Sequence, residues 1–84
     1  MSARPKKHSL TLHGHRTSVS LEDAFWVAFK RIAEEQAIQI NVLAARIDEE
    51  RGTESGLATA IRLFVLAHYQ TRLDELLAAS TPPD

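Results

Sequence analysis

The fold is decided in SLTLHGHRTSVSLEDAFW, residues 9–26. Extended backbone sends alternate side chains to opposite faces. Thr17, Val19 and Leu21 therefore share one side of a strand, and Arg16, Ser18 and Ser20 share the other. Leu10 and Leu12 have the opposite parity to Val19 and Leu21, so one uninterrupted strand cannot bury both pairs on one face. Gly14 breaks the register. One arrangement is an irregular arm followed by a single strand. The other is an internal hairpin with a two-residue turn at Gly14-His15, setting Leu10 opposite Val19 and Leu12 opposite Thr17. We expect the single strand.

Working outward, the 84 residues make one small domain without cysteine. A core of that size is marginal unless a disulfide, a metal or a second subunit adds to it. The missing cysteines exclude a disulfide and a thiolate zinc site, which leaves oligomerisation, and they fit a cytoplasmic location. MSARPKKHSLTLHG has basic residues but no apolar core of a secretory signal. LATAIRLFVLAHY is too short to span a bilayer and contains Arg62. No membrane association is expected. The net charge of −1 is unevenly placed: residues 1–20 carry Arg4, Lys6, Lys7 and Arg16 and no acid, while the remainder holds six basic and eleven acidic side chains. Any anion-binding surface is expected near the strand, with Lys6 and Lys7 on a flexible basic arm of residues 1–8.

Three helices follow. The first is expected from about Leu21 to Gln36, with Ser20 as N-cap, Glu22 and Asp23 in its first turn, and Phe25, Ala28, Phe29 and Ile32 as its buried stripe. After the connector AIQ, Ile40, Leu43, Ala44 and Ile47 form the stripe of a second helix that Gly52 can cap. The third runs from about Leu57 to Leu77, and its middle, IRLFVLAHY, is apolar nearly all round. Such a helix must be covered on more than one side. A lone strand likewise leaves unpaired backbone groups. Both needs point to a homodimer, or a higher oligomer, in which Thr17 to Leu21 pair antiparallel across a two-fold axis. The expected dimer core is Val19, Leu21, Phe25, Phe29, Ile32, Leu43, Ile47, Ile61 and Phe64. The domain should span residues 9–77, with a disordered tail at 78–84.

The order strand RTSVSL, helix LEDAFWVAFKRIAEEQ, connector AIQ, helix INVLAARI resembles the ribbon-helix-helix DNA-binding superfamily, of the Arc and MetJ type. FKRIAEEQAIQINVLA is Arc-like in its spacing, and the chain from HSLTLHGHRTSVSLE through the third helix is similar to a bacterial group of short ribbon-helix-helix proteins. The resemblance implies a mainly α fold with one short N-terminal strand: an intertwined two-fold dimer with an intersubunit two-stranded antiparallel ribbon, here with an additional third helix. It implies a small transcriptional regulator that binds double-stranded DNA. The outward strand residues Arg16, Ser18 and Ser20 would meet base edges, Arg16 forking onto guanine. The backbone N–H groups of Gln39, Ile40 and Asn41 and the Asn41 side chain would hold a phosphate. The third helix, beginning SGLATAIR, also looks like a family second helix, which would move that clamp to Thr53–Gly56. The alternative is a dimeric or tetrameric scaffold, or an antitoxin-like protein, whose third helix docks a protein partner.

Other chemistries find little support in the residues. His8, His13 and His15 lie close together, but no carboxylate or cysteine among them completes a zinc set, so no metal or other cofactor is expected. No Gly-rich phosphate loop and no nucleophile with a neighbouring base is recognisable, and Glu34-Glu35 and Asp48-Glu49-Glu50 read as wet helix faces. No enzyme activity is expected.

Overall fold

The computed structural model describes residues 3–52 and 55–80. Two strands, β1 (Lys6–Leu12) and β2 (His15–Leu21), are followed by helices α1 (Asp23–Glu35), α2 (Ile40–Glu50) and α3 (Leu57–Ser80). The mainly helical architecture with a third helix is as expected, but the ribbon is not made from one strand. β1 and β2 pair antiparallel within the chain, from Lys6↔Leu21 to Leu12↔His15. The single strand is thus corrected to a hairpin, and its turn sits at His13-Gly14, one residue earlier than the alternative placed it. Leu10 consequently faces Thr17, and Leu12 faces His15.

The physical reason lies in the turn. Both central residues have positive φ, 53° at His13 and 79° at Gly14, the pairing that a two-residue type I′ turn needs to match strand twist. Gly14 takes this conformation without steric cost, and histidine is one of the side chains that tolerate it. Folding back over two residues puts Leu10 and Leu12 on the same face as Val19 and Leu21, which resolves their opposite parities. All four are buried.

α1 starts at Asp23 rather than Leu21, because Leu21 is wholly buried as the last residue of β2. Ser20 is therefore a strand residue and not the N-cap. Glu22 holds that position, with no side-chain capping bond. Residues 6–8 of the expected arm belong to β1, and residues 78–80 of the expected tail belong to α3; residues 81–84 lie outside the described residues. The core formed by the hairpin's inner face and the three helices contains Val19, Leu21, Phe29, Ile32, Leu43, Ile47 and Ile61, with Phe25 and Phe64 partly buried against it. One chain therefore packs all nine residues expected at a dimer core, joined by Leu10, Leu12, Ala33, Ala44 and Val65. Trp26 packs against this core and stacks on His8, with ring centroids 4.1 Å apart.

Candidate nucleic-acid interface

The hairpin's inner face is fixed by its four buried leucine and valine side chains, and this fixes the outer face by alternation. Cross-strand partners share a face, so the pairs Lys7↔Ser20, Ser9↔Ser18 and Thr11↔Arg16 all point outward. All six residues are exposed. The surface holds two cations, three serine hydroxyls and one threonine hydroxyl, and no acid. Among the described residues neither Lys7 nor Arg16 has an ion-pair partner. Two strands about 4.8 Å apart are narrower than a major groove, which is about 12 Å wide.

Sequence alternation had found three of these residues, Arg16, Ser18 and Ser20. It placed Lys7 on a mobile arm and missed Ser9 and Thr11, whose orientation follows only once β1 pairs with β2. Lys6 lies on the other face, where its Nζ is 3.1 Å from Asp23 Oδ2. It is less free to meet an anion than Lys7.

The expected phosphate clamp lies beside the ribbon. Gln39 is the N-cap of α2 and is exposed, while Ile40 and Asn41 are half-buried in its first turn. That first turn contains no acid to oppose an anion. Asn41 Oδ1 accepts a hydrogen bond from the Thr11 backbone N–H at 3.0 Å. This bond ties the outer edge of β1 to the N-terminus of α2. The alternative clamp at Thr53–Gly56 includes residues 53 and 54, which lie outside the described residues.

The base of the ribbon is braced from the other side. Arg62 on α3 donates to both Glu22 carboxylate oxygens, at 2.9 and 3.2 Å, and its guanidinium carbon lies 5.9 Å from the centre of the Phe25 ring. The bond from Arg62 holds the Glu22 carboxyl below its ordinary range, helped by the residue's own backbone N–H. Nothing in the sequence singled out this pair, because the partners are forty residues apart. No group of three or more His, Cys, Asp or Glu side chains is placed to hold a metal among the described residues. His8 stacks on Trp26, and His13 Nε2 is 3.5 Å from Glu49 Oε1.

A polar, unpaired two-stranded face carried on a small helical core defines a β-ribbon binding module. The comparison with known families agrees: the ribbon-helix-helix domain family matches residues 5–69, most of the chain. This protein belongs to that family, whose members are in general DNA-binding regulators. No curated protein and no solved structure matches the chain. No helix among the described residues is long and apolar enough to cross a membrane.

Proposed function

We propose that this protein is a small dimeric DNA-binding regulator that reads the major groove with the outer face of its hairpin. The observation that carries this reading is the composition of that face: Lys7, Ser9, Thr11, Arg16, Ser18 and Ser20, all exposed and without an acid. Arg16 makes the sequence-reading contact, since its guanidinium alone on this face can donate two parallel bonds to a guanine edge. The hydroxyls discriminate weakly. Lys7 and the N-terminus of α2 hold phosphates and set position. With an acidic body behind it, the face should bind in a strongly salt-dependent manner.

Polarisation titrations of labelled duplexes at low and moderate salt test this. Arg16→Ala should cost about 1–3 kcal/mol on preferred sequences and flatten discrimination at one base position. Asn41→Asp keeps the acceptor for the Thr11 N–H but adds a negative charge at the clamp, so it should weaken binding to all sequences alike. If neither substitution changes binding where the wild type binds, the ribbon is not the DNA surface.

One observation favours a second reading, a scaffold that docks a protein partner. Leu63, Leu66, Leu73, Leu76 and Leu77 along α3 are each between 52% and 63% exposed. Failure of the wild type to bind any duplex at low salt would make this reading the leading one.

A further inference from the structure

We infer that the outward face of α3 is a leucine seam on which α3 of a second copy packs in parallel, as a short two-stranded coiled coil. The inference does not rest on DNA binding, and it gives the exposed leucines of α3 a definite occupant.

The seam shows in the spacing and the exposure together. Leu63, Leu66, Gln70, Leu73 and Leu77 follow one another at steps of three, four, three and four residues, and all five are exposed. That is the 3.5-residue repeat of a coiled-coil seam. Helical geometry sets it on the side of α3 away from the buried Ile61 and Val65. The nearly all-round apolar character of this helix thus resolves into two faces, one for the chain's own core and one turned to solvent. Ile61 and Phe64, expected at a dimer core, belong to the first. Thr59 and Ser80 continue the spacing at either end, so polar residues bound the seam.

This face is separate from the ribbon and extends beyond the family's domain. The family match ends at residue 69, whereas Gln70, Leu73 and Leu77 lie past it. Two heptads of isolated helix would be marginal in water, because a helix is costly to nucleate. Here the helix is already formed on the core. Arg72 Nη1 also donates to Glu35 Oε2 at 2.8 Å, which ties the start of the overhang to α1.

Gln70 identifies the occupant. An amide buried in the middle of a leucine seam needs a partner that both donates and accepts at the same layer. A parallel second copy in register supplies it, Gln70 against the partner's Gln70, with a layer of paired leucines at each of the other four positions. A single amide of this kind fixes register and helix number in a coiled coil. An antiparallel pairing sets leucine opposite leucine in at most two layers. In the two antiparallel registers with most overlap, Gln70 falls against the partner's Leu66 or the partner's Leu73.

The flanks of the seam agree. In the parallel register Arg62 lies beside the partner's Ala67, and Tyr69 beside the partner's Asp74. No like charges meet, and the tyrosine hydroxyl faces a carboxylate able to accept its hydrogen bond. Each chain's core lies on the other side of its own α3, so the two bodies stay apart on the outside of the pair.

The chain has no cysteine, so single introduced thiols report the pairing in the DNA-free full chain. Under mild oxidation at micromolar concentration, Leu66→Cys and Leu73→Cys should each convert to covalent dimer, because in parallel each faces its own copy. Glu75→Cys, exposed on the far side of the helix, should cross-link at least about tenfold more slowly. A chain carrying both Leu66→Glu and Leu73→Glu should self-associate at least about tenfold more weakly in sedimentation across a dilution series, since it sets charges in leucine layers. Circular dichroism checks that every variant keeps its helices. Equal rates for the three thiols, cross-linking at only one of the two leucine positions, or self-association unchanged in the double variant would each overturn the inference. A chain that cross-links at both positions and binds no DNA would sink the proposed function and leave the seam standing; one that binds DNA and cross-links at neither would do the reverse.

Discussion

Glu22 joins the two halves of the molecule at the scale of a single residue. It follows the last residue of β2, caps α1, and is held by Arg62 from α3. Because its carboxyl titrates below the ordinary glutamate value, the folded state binds this proton less readily than the unfolded chain does. Its contribution to stability is therefore present above the unfolded pKa and is lost as the pH falls through the folded one. Glu22→Gln keeps the shape but cannot titrate. Urea midpoints at neutral pH and near pH 3 should fall further for the wild type than for this variant; equal falls would show that the pair adds no acid-side sensitivity. At this scale Arg16, Ser18 and Ser20 were legible in the sequence, because alternation around two buried apolar residues fixes a face whatever the strand pairs with. Arg62 was not, because its role depends on a contact between distant segments.

Turns carried most of the information at the scale of the element, and they were the hardest part to read. The opposite parities of Leu10/Leu12 and Val19/Leu21 demand a fold-back, but His-Gly is a weaker hairpin signal than Asn-Gly or Asp-Gly, and a lone strand remained the simpler reading. The helices were legible by their apolar stripes; the start of α1 moved because Leu21, a buried strand residue, outcompeted the good capping residue Ser20, and α3 ran on past Leu77 to Ser80. The end of α1 shows the same compromise. Ile38 N–H bonds to Ala33 O at 2.9 Å and Ala37 N–H to Glu34 O at 3.0 Å, a Schellman closure with Ala37 at φ 54°. An L-residue in the left-handed region is strained by about 1–2 kcal/mol, while glycine there costs about 0.5–1 kcal/mol in chain entropy. Ala37→Gly should therefore raise stability by about 0.5–1 kcal/mol, read as a melting temperature several degrees higher. An unchanged or lower melting temperature would mean that the turn is not strained.

As a whole molecule the chain is more extended than a packed domain of its length. Its radius of gyration is 14.9 Å, against about 12 Å for a compact chain of this size. The difference comes from α3, which has 24 residues and whose side chains from residue 70 onward are all exposed. The sequence had signalled too much apolar surface on this helix for one chain to cover. It could not show that the core would close over Ile61 and Val65 and leave the far end bare. The molecule therefore presents two surfaces of opposite character, a basic polar ribbon at one end of the fold and a leucine-bearing helix that overhangs the core. On the proposed function, nucleic acid binds the first. Backbone amide chemical-shift mapping, with an unlabelled duplex added to the isotopically labelled full chain at low salt, tests that assignment most directly. The largest shifts should fall on Lys7, Ser9, Thr11, Arg16, Ser18, Ser20 and the first turn of α2, with residues 70–80 of α3 unmoved. Shifts confined to α3, or none at all on the ribbon, would contradict it.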